Sequence, residues 1–109
     1  MEFIKCEELD TKDHSVVIVD IRDNSMYASG HIKGAVQKDS YGSIKAGNIG
    51  DARKTLSTLP KNKVIVTVCN MGITAQKASK ILEEMGYKTK VLEGGMMKWK
   101  ERFPVETKH

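Results

Sequence analysis

Unbroken β-branched runs and stripes of apolar residues at helical spacing take turns along this chain. The run from Ser15 to Ile21, SVVIVDI, has the pattern of a strand covered on both faces, and Val64 to Val68, VIVTV, repeats it. A third, shorter run is Thr89 to Leu92. Between the second and third, Ala75, Ala78, Leu82 and Met85 recur at spacings of three and four, while Lys77, Lys80, Glu83 and Glu84 occupy the other side. This predicts an amphipathic helix over Thr74 to Met85, with Gly86 as its left-handed stop. Strand, loop, helix and strand in that order form a βαβ unit, so the chain is predicted to be an α/β protein with a mostly parallel sheet and helices packed on it. Shorter helical patterns fall at Asn24 to Ser29, at Asp51 to Thr58 with Ala52 and Leu56 inward, and at Met96 to Phe103, where Met96, Trp99 and Phe103 share a face. The stretch from Lys38 to Asn48 has no readable period and is predicted as loop.

Composition narrows the picture only modestly. A chain of 109 residues, 39% apolar and 29% charged, is expected to fold as one domain over residues 1–109. No apolar run approaches the roughly 20 residues of a membrane span. The net charge of +4 comes from lysines spread along the chain and forms no block suited to nucleic acid, so neither a membrane nor a nucleic acid is expected as a partner. Two cysteines, Cys6 and Cys69, are too few for a disulfide framework, and the start MEFIKCEELD is acidic where a signal peptide would be basic. A reducing, cytoplasmic setting is the expectation. Cys6 reads as an ordinary free thiol, and the six methionines as core filler, apart from Met71.

Cys69 changes the picture more. It follows a buried strand and precedes a helix, which places it at the carboxyl edge of the sheet, where open α/β folds build their sites. The loop Asn70-Met71-Gly72-Ile73-Thr74 leads into the helix, so several backbone N–H groups lack an intrahelical acceptor and can converge above the sulfur. Such donors favour a reactive thiolate. The same local pattern also admits a small buried hydrophobe that simply ends a strand.

Three groups of residues together resemble a known family. Cys69-Asn70-Met71-Gly72-Ile73-Thr74 is similar to the C-x-x-G-x-[ST] active-site loop of rhodanese-type sulfurtransferases. Asp20-Ile21-Arg22, then Tyr27 and Gly30-His31-Ile32-Lys33-Gly34-Ala35, resemble the family's D-x-R, Y and G-H-I-x-G-A. Leu92-Glu93-Gly94-Gly95 with Trp99 and Pro104-Val105 resemble its L-x-G-G, W and P-V. The resemblance runs from about Ile4 to Val105 and is weakest at Lys38 to Asn48. It implies a rhodanese-like fold, with a central sheet of about five strands and helices on both faces.

It also implies a chemistry. The Cys69 thiolate would take sulfane sulfur from thiosulfate or a persulfide donor and pass it to cyanide, a thiol or an acceptor protein. The loop residues Asn70, Met71, Gly72, Ile73, Thr74 and Ala75 would bind the transferred sulfur, Met71 adding an apolar wall. No metal or organic cofactor is implied. Asp20, Arg22 and His31 read as structural support, an ion pair or cap and a hydrogen-bonded turn, while Gly94-Gly95 allows close entry into the last helix around a core Trp99. The loop carries no arginine or lysine, so thiosulfate is expected to be a poor donor. Six residues beyond Cys69 stands Ala75 instead of the arginine of the phosphatases and arsenate reductases with related folds. The alternative of another class is a rhodanese-like module that binds a partner or senses oxidants without turnover.

Overall fold

A computed structural model describes residues 1–108. Its strands are β1 (Glu2–Ile4), β2 (Val16–Asp20), β3 (Val36–Gln37), β4 (Val64–Val68) and β5 (Lys88–Leu92). The helices are α1 (Asn24–Ser29), α2 (Tyr41–Lys45), α3 (Ile49–Leu56), α4 (Ile73–Glu84) and α5 (Gly95–Arg102). A single 3₁₀ turn covers Cys6–Glu8.

The five strands form one sheet in the order β1-β5-β4-β2-β3, and every strand pair is parallel. The two β-branched runs lie at its centre, Val16 to Asp20 beside Val64 to Val68. Their near-continuous apolarity follows from cover on both faces. On one face Val19, Ile65 and Val91 pack against Ile44, Ala52, Leu56, Ala75, Ala78 and Leu82 from α2, α3 and α4. On the other, Ile18, Val66, Val68 and Leu92 pack against Met96 and Trp99 of α5, with Ile32, Ala35 and Cys6. The edge strands are short, three residues in β1 and two in β3, which limits unpaired ladder positions.

Most sequence expectations match within a residue or two, and three need correction. The stretch from Lys38 to Asn48 is not all loop: it holds α2. This helix lacks a side-chain cap and buries only Ile44. Its start is held instead by the Ser40 and Tyr41 amides, which donate to the Ile21 carbonyl at 3.2 and 3.0 Å. α3 begins earlier than the periodicity implied, because Asn48 Oδ1 accepts from the Asp51 amide at 3.1 Å and sets the N-cap there. The methionines are mostly not core filler. Met96 is buried and Met85 half-buried, whereas Met1, Met26, Met71 and Met97 are exposed. Met97 follows Met96 by about 100° of helical turn, which carries it off the face that α5 presents to the sheet.

Candidate active site

Both central strands end at the same sheet edge, with Asp20 opposite Val68 and the Ile21 amide donating to the Val68 carbonyl at 3.0 Å. Cys69 is the next residue. Its side chain belongs to the core cluster on the α4 face and is 2% exposed. The sulfur accepts two backbone hydrogen bonds, from the Gly72 amide at 3.1 Å and from the Ala75 amide at 3.3 Å. The amides of Met71, Ile73 and Thr74 have no acceptor among the described residues. Donors of this kind favour negative charge placed among them.

The loop takes this shape because its outer side is tied down. The Met96 amide donates to the Cys69 carbonyl at 2.8 Å and the Met97 amide to the Asn70 carbonyl at 2.9 Å. With those carbonyls drawn toward the start of α5, the peptide groups that follow can turn their N–H ends toward the sulfur. Gly95 makes the approach possible: a Cβ there would overlap the Cys69 carbonyl oxygen and lie 2.6 Å from the Asn70 carbonyl carbon. Gly72 has φ +90 and packs against the Leu92 carbonyl, so a side chain there would meet strain and crowding together. Gln76 Nε2 donates to the Gly72 carbonyl at 3.0 Å, and Thr67 Oγ1 donates to the Ala75 carbonyl at 3.1 Å. These two contacts secure the loop's second half against the strand and the first turn of α4.

Behind the loop, Arg22 is gripped by Asp20 in two parallel bonds, Nε to Oδ1 at 2.9 Å and Nη2 to Oδ2 at 2.8 Å, with both side chains 1% exposed. Nη2 also donates to the Gly30 carbonyl at 2.7 Å. Nη1 reaches toward Asn70 Oδ1 at 3.5 Å. The pair therefore joins the end of β2, the turn after α1 and the cysteine loop. His31 stands apart: its Nδ1 donates to the Tyr27 carbonyl at 2.9 Å, its ring stacks on Tyr27 at 3.9 Å, and its backbone pairs with Glu106. Burial, then Asp20 and Glu106, push the Tyr27 phenol up, which suits its donation to the Ala35 carbonyl at 2.9 Å.

A pocket of about 230 Å³ opens over the sulfur, lined by Tyr41, Lys45, Cys69, Asn70, Met71, Ile73 and Thr74. The loop residues singled out in the sequence are thus gathered around Cys69. Tyr41 and Lys45 are additions that sequence reasoning missed, because α2 carries no periodic signal. Cys6 sits in the core cluster on the other face of the sheet, both cysteines are free, and burial followed by Glu7 pushes the Cys6 thiol up.

A parallel α/β sheet with a cysteine at its carboxyl edge, cradled by backbone amides, is what fold and site define here. Residues 6–102 match the model of the Rhodanese-like domain family, and the chain belongs to that family. It is 33% identical over 87 residues to a putative sulfurtransferase, YtwF, of Bacillus subtilis, covering 80% of this chain and 76% of that protein. It is 36% identical over 92 residues to the thiosulfate sulfurtransferase GlpE of Shewanella oneidensis, covering 84% and 82%. Among solved structures, a rhodanese-like domain protein from Staphylococcus aureus aligns with a TM-score of 0.78 at 28% identity, over 100% of both chains. No helix of the described residues is long and apolar enough to cross a membrane.

Proposed function

We propose that this chain is a sulfurtransferase that carries sulfane sulfur as a persulfide on Cys69. The observation that carries the reading is the convergence of the Gly72 and Ala75 amides on the Cys69 sulfur beneath an open pocket. Relatives named as sulfurtransferases at 33 and 36% identity support it.

The Cys69 thiolate attacks the outer sulfur of the donor. A Cys69 S–S bond forms, the donor's own bond to that sulfur breaks, and the remnant leaves with the bonding electrons. With thiosulfate the remnant is sulfite; with a low-molecular-weight persulfide it is the thiolate. Negative charge then resides on the terminal sulfur, one S–S length of about 2.0 Å farther out. The loop amides from Asn70 to Ala75 are the donors available to it, oriented beforehand and so free of reorganisation during transfer. A thiol, an acceptor protein or, in an assay, cyanide attacks the terminal sulfur and regenerates Cys69. Asp20 and Arg22 act as positioning residues through Asn70, and His31 as support for the turn that Arg22 contacts.

The test is intact-protein mass spectrometry after incubation with thiosulfate and, separately, with glutathione persulfide. The expected result is a one-sulfur adduct that maps to Cys69 and is removed by cyanide or a thiol. No adduct from either donor, with Cys69 shown to be reduced, would overturn the proposal and favour a module that binds a partner without turnover.

A further inference from the structure

The cysteine loop contains no charged side chain between Asn70 and Ala75, yet the pocket above the sulfur is not without charge. Lys45 lines it from α2, with no acidic residue among the lining groups. The fold fixes where this cation stands. The first turn of α2 hangs from the Ile21 carbonyl through the Ser40 and Tyr41 amides, and Ile44 is buried against α3 and α4. One turn along the same helix face, Tyr41 lies beneath the Lys45 ammonium, which sits 5.9 Å from the ring centroid. Lys45 forms no ion pair among the described residues. Its charge is therefore available to a ligand.

We propose that Lys45 is a specificity-determining residue that seats the anionic end of a doubly charged sulfur donor, thiosulfate, over Cys69. This rests on the sulfurtransferase reading and deepens it by assigning the side chain that discriminates between an anionic and a neutral donor. Thiosulfate presents a sulfane sulfur to the nucleophile and a sulfonate group at its far end. Cys69 attacks the sulfane sulfur, the S–S bond of thiosulfate breaks, and sulfite departs with both electrons; three negative charges enter the step and three leave it. Backbone amides face the sulfur that stays, so the charge that departs needs its own partner. The Lys45 ammonium, brought to the same pocket by α2 and lying 5.9 Å from the Tyr41 ring centroid, is that partner. The cation comes from a segment remote in sequence, so a loop without charge does not by itself exclude thiosulfate.

The experiment compares alkylation of Cys69 by iodoacetate, an anion, and iodoacetamide, its neutral analogue, in the full chain and in Lys45→Met and Lys45→Arg. Peptide mass spectrometry separates Cys69 from Cys6. The iodoacetate to iodoacetamide rate ratio is expected to fall about three- to tenfold in Lys45→Met, to persist in Lys45→Arg, and to shrink at high salt. In parallel, kcat/KM for thiosulfate with cyanide as acceptor is expected to drop about tenfold in Lys45→Met and recover in Lys45→Arg. An unchanged alkylation ratio in Lys45→Met overturns the inference, whether or not sulfur is transferred. Failure of every donor to load sulfur on the wild type, with a ratio that does depend on Lys45, overturns the sulfurtransferase reading and with it the donor assignment.

Discussion

The Met96 amide donates to the Cys69 carbonyl at 2.8 Å, so the first turn of α5 holds the residue that follows β4. The hydrogen bond joins two segments that meet only through the parallel sheet. It also commits the Cys69 carbonyl to α5, while the Gly72 and Ala75 N–H groups are the ones that meet the sulfur. Gly95 guards this contact, because nothing larger fits beside the Cys69 carbonyl.

Gly95→Ala should therefore displace the loop. With φ +59 and a Cβ that overlaps the Cys69 carbonyl oxygen, the variant is expected to lose about 1–3 kcal/mol of stability. Sulfur loading should fall at least about tenfold, since a misplacement near 1 Å can cost up to about a hundredfold. Urea denaturation and the rate of adduct formation measure the two effects.

Cys69→Ser should abolish sulfur transfer with both donors. A hydroxyl can accept from the Gly72 and Ala75 amides in the sulfur's place, so stability should stay within about 1 kcal/mol of wild type. Thermal melts and a cyanide-coupled assay check this pair of expectations, and residual transfer would argue against a Cys69 persulfide.

Asp20→Asn leaves the Arg22 charge buried without its carboxylate. The expected loss is about 3–5 kcal/mol. Replacing both partners with apolar residues, Asp20→Leu with Arg22→Met, should recover a large part of that stability while sulfur transfer stays low, because Arg22 no longer steadies Asn70. Chemical denaturation of the single and double variants, set beside their adduct rates, separates folding from positioning.

Cys6 provides a pH prediction. Burial first, and Glu7 second, push its thiol up from the ordinary value of 9.0. The folded state thus holds the proton more tightly than the unfolded chain. This contribution to stability is complete below the ordinary thiol range and is lost as the pH rises through the folded value. Between pH 8 and pH 10 the wild type should lose more stability than Cys6→Ala, as measured by urea midpoints. At pH 8, iodoacetamide should label Cys69 well ahead of Cys6 in a peptide map.

The sequence by itself determined the parts governed by local periodicity and turn chemistry. The β-branched runs Ser15 to Ile21 and Val64 to Val68 have the pattern of strands covered on both faces, and they hold the central pair, β2 and β4. The stripe of Ala75, Ala78 and Leu82 fixed the buried face of α4, and a cysteine between such a strand and such a helix had to stand at the carboxyl edge of the sheet. Elements too short to show a period were invisible: β1, β3 and α2 are held by partners far along the chain. Only the tertiary structure decided that Asp20 and Arg22 reach the loop through Asn70, that α5 ties down the Cys69 carbonyl, and that Lys45 faces the pocket. Each of these is a contact between segments that come together when the sheet forms, and spacing along a chain does not specify such contacts.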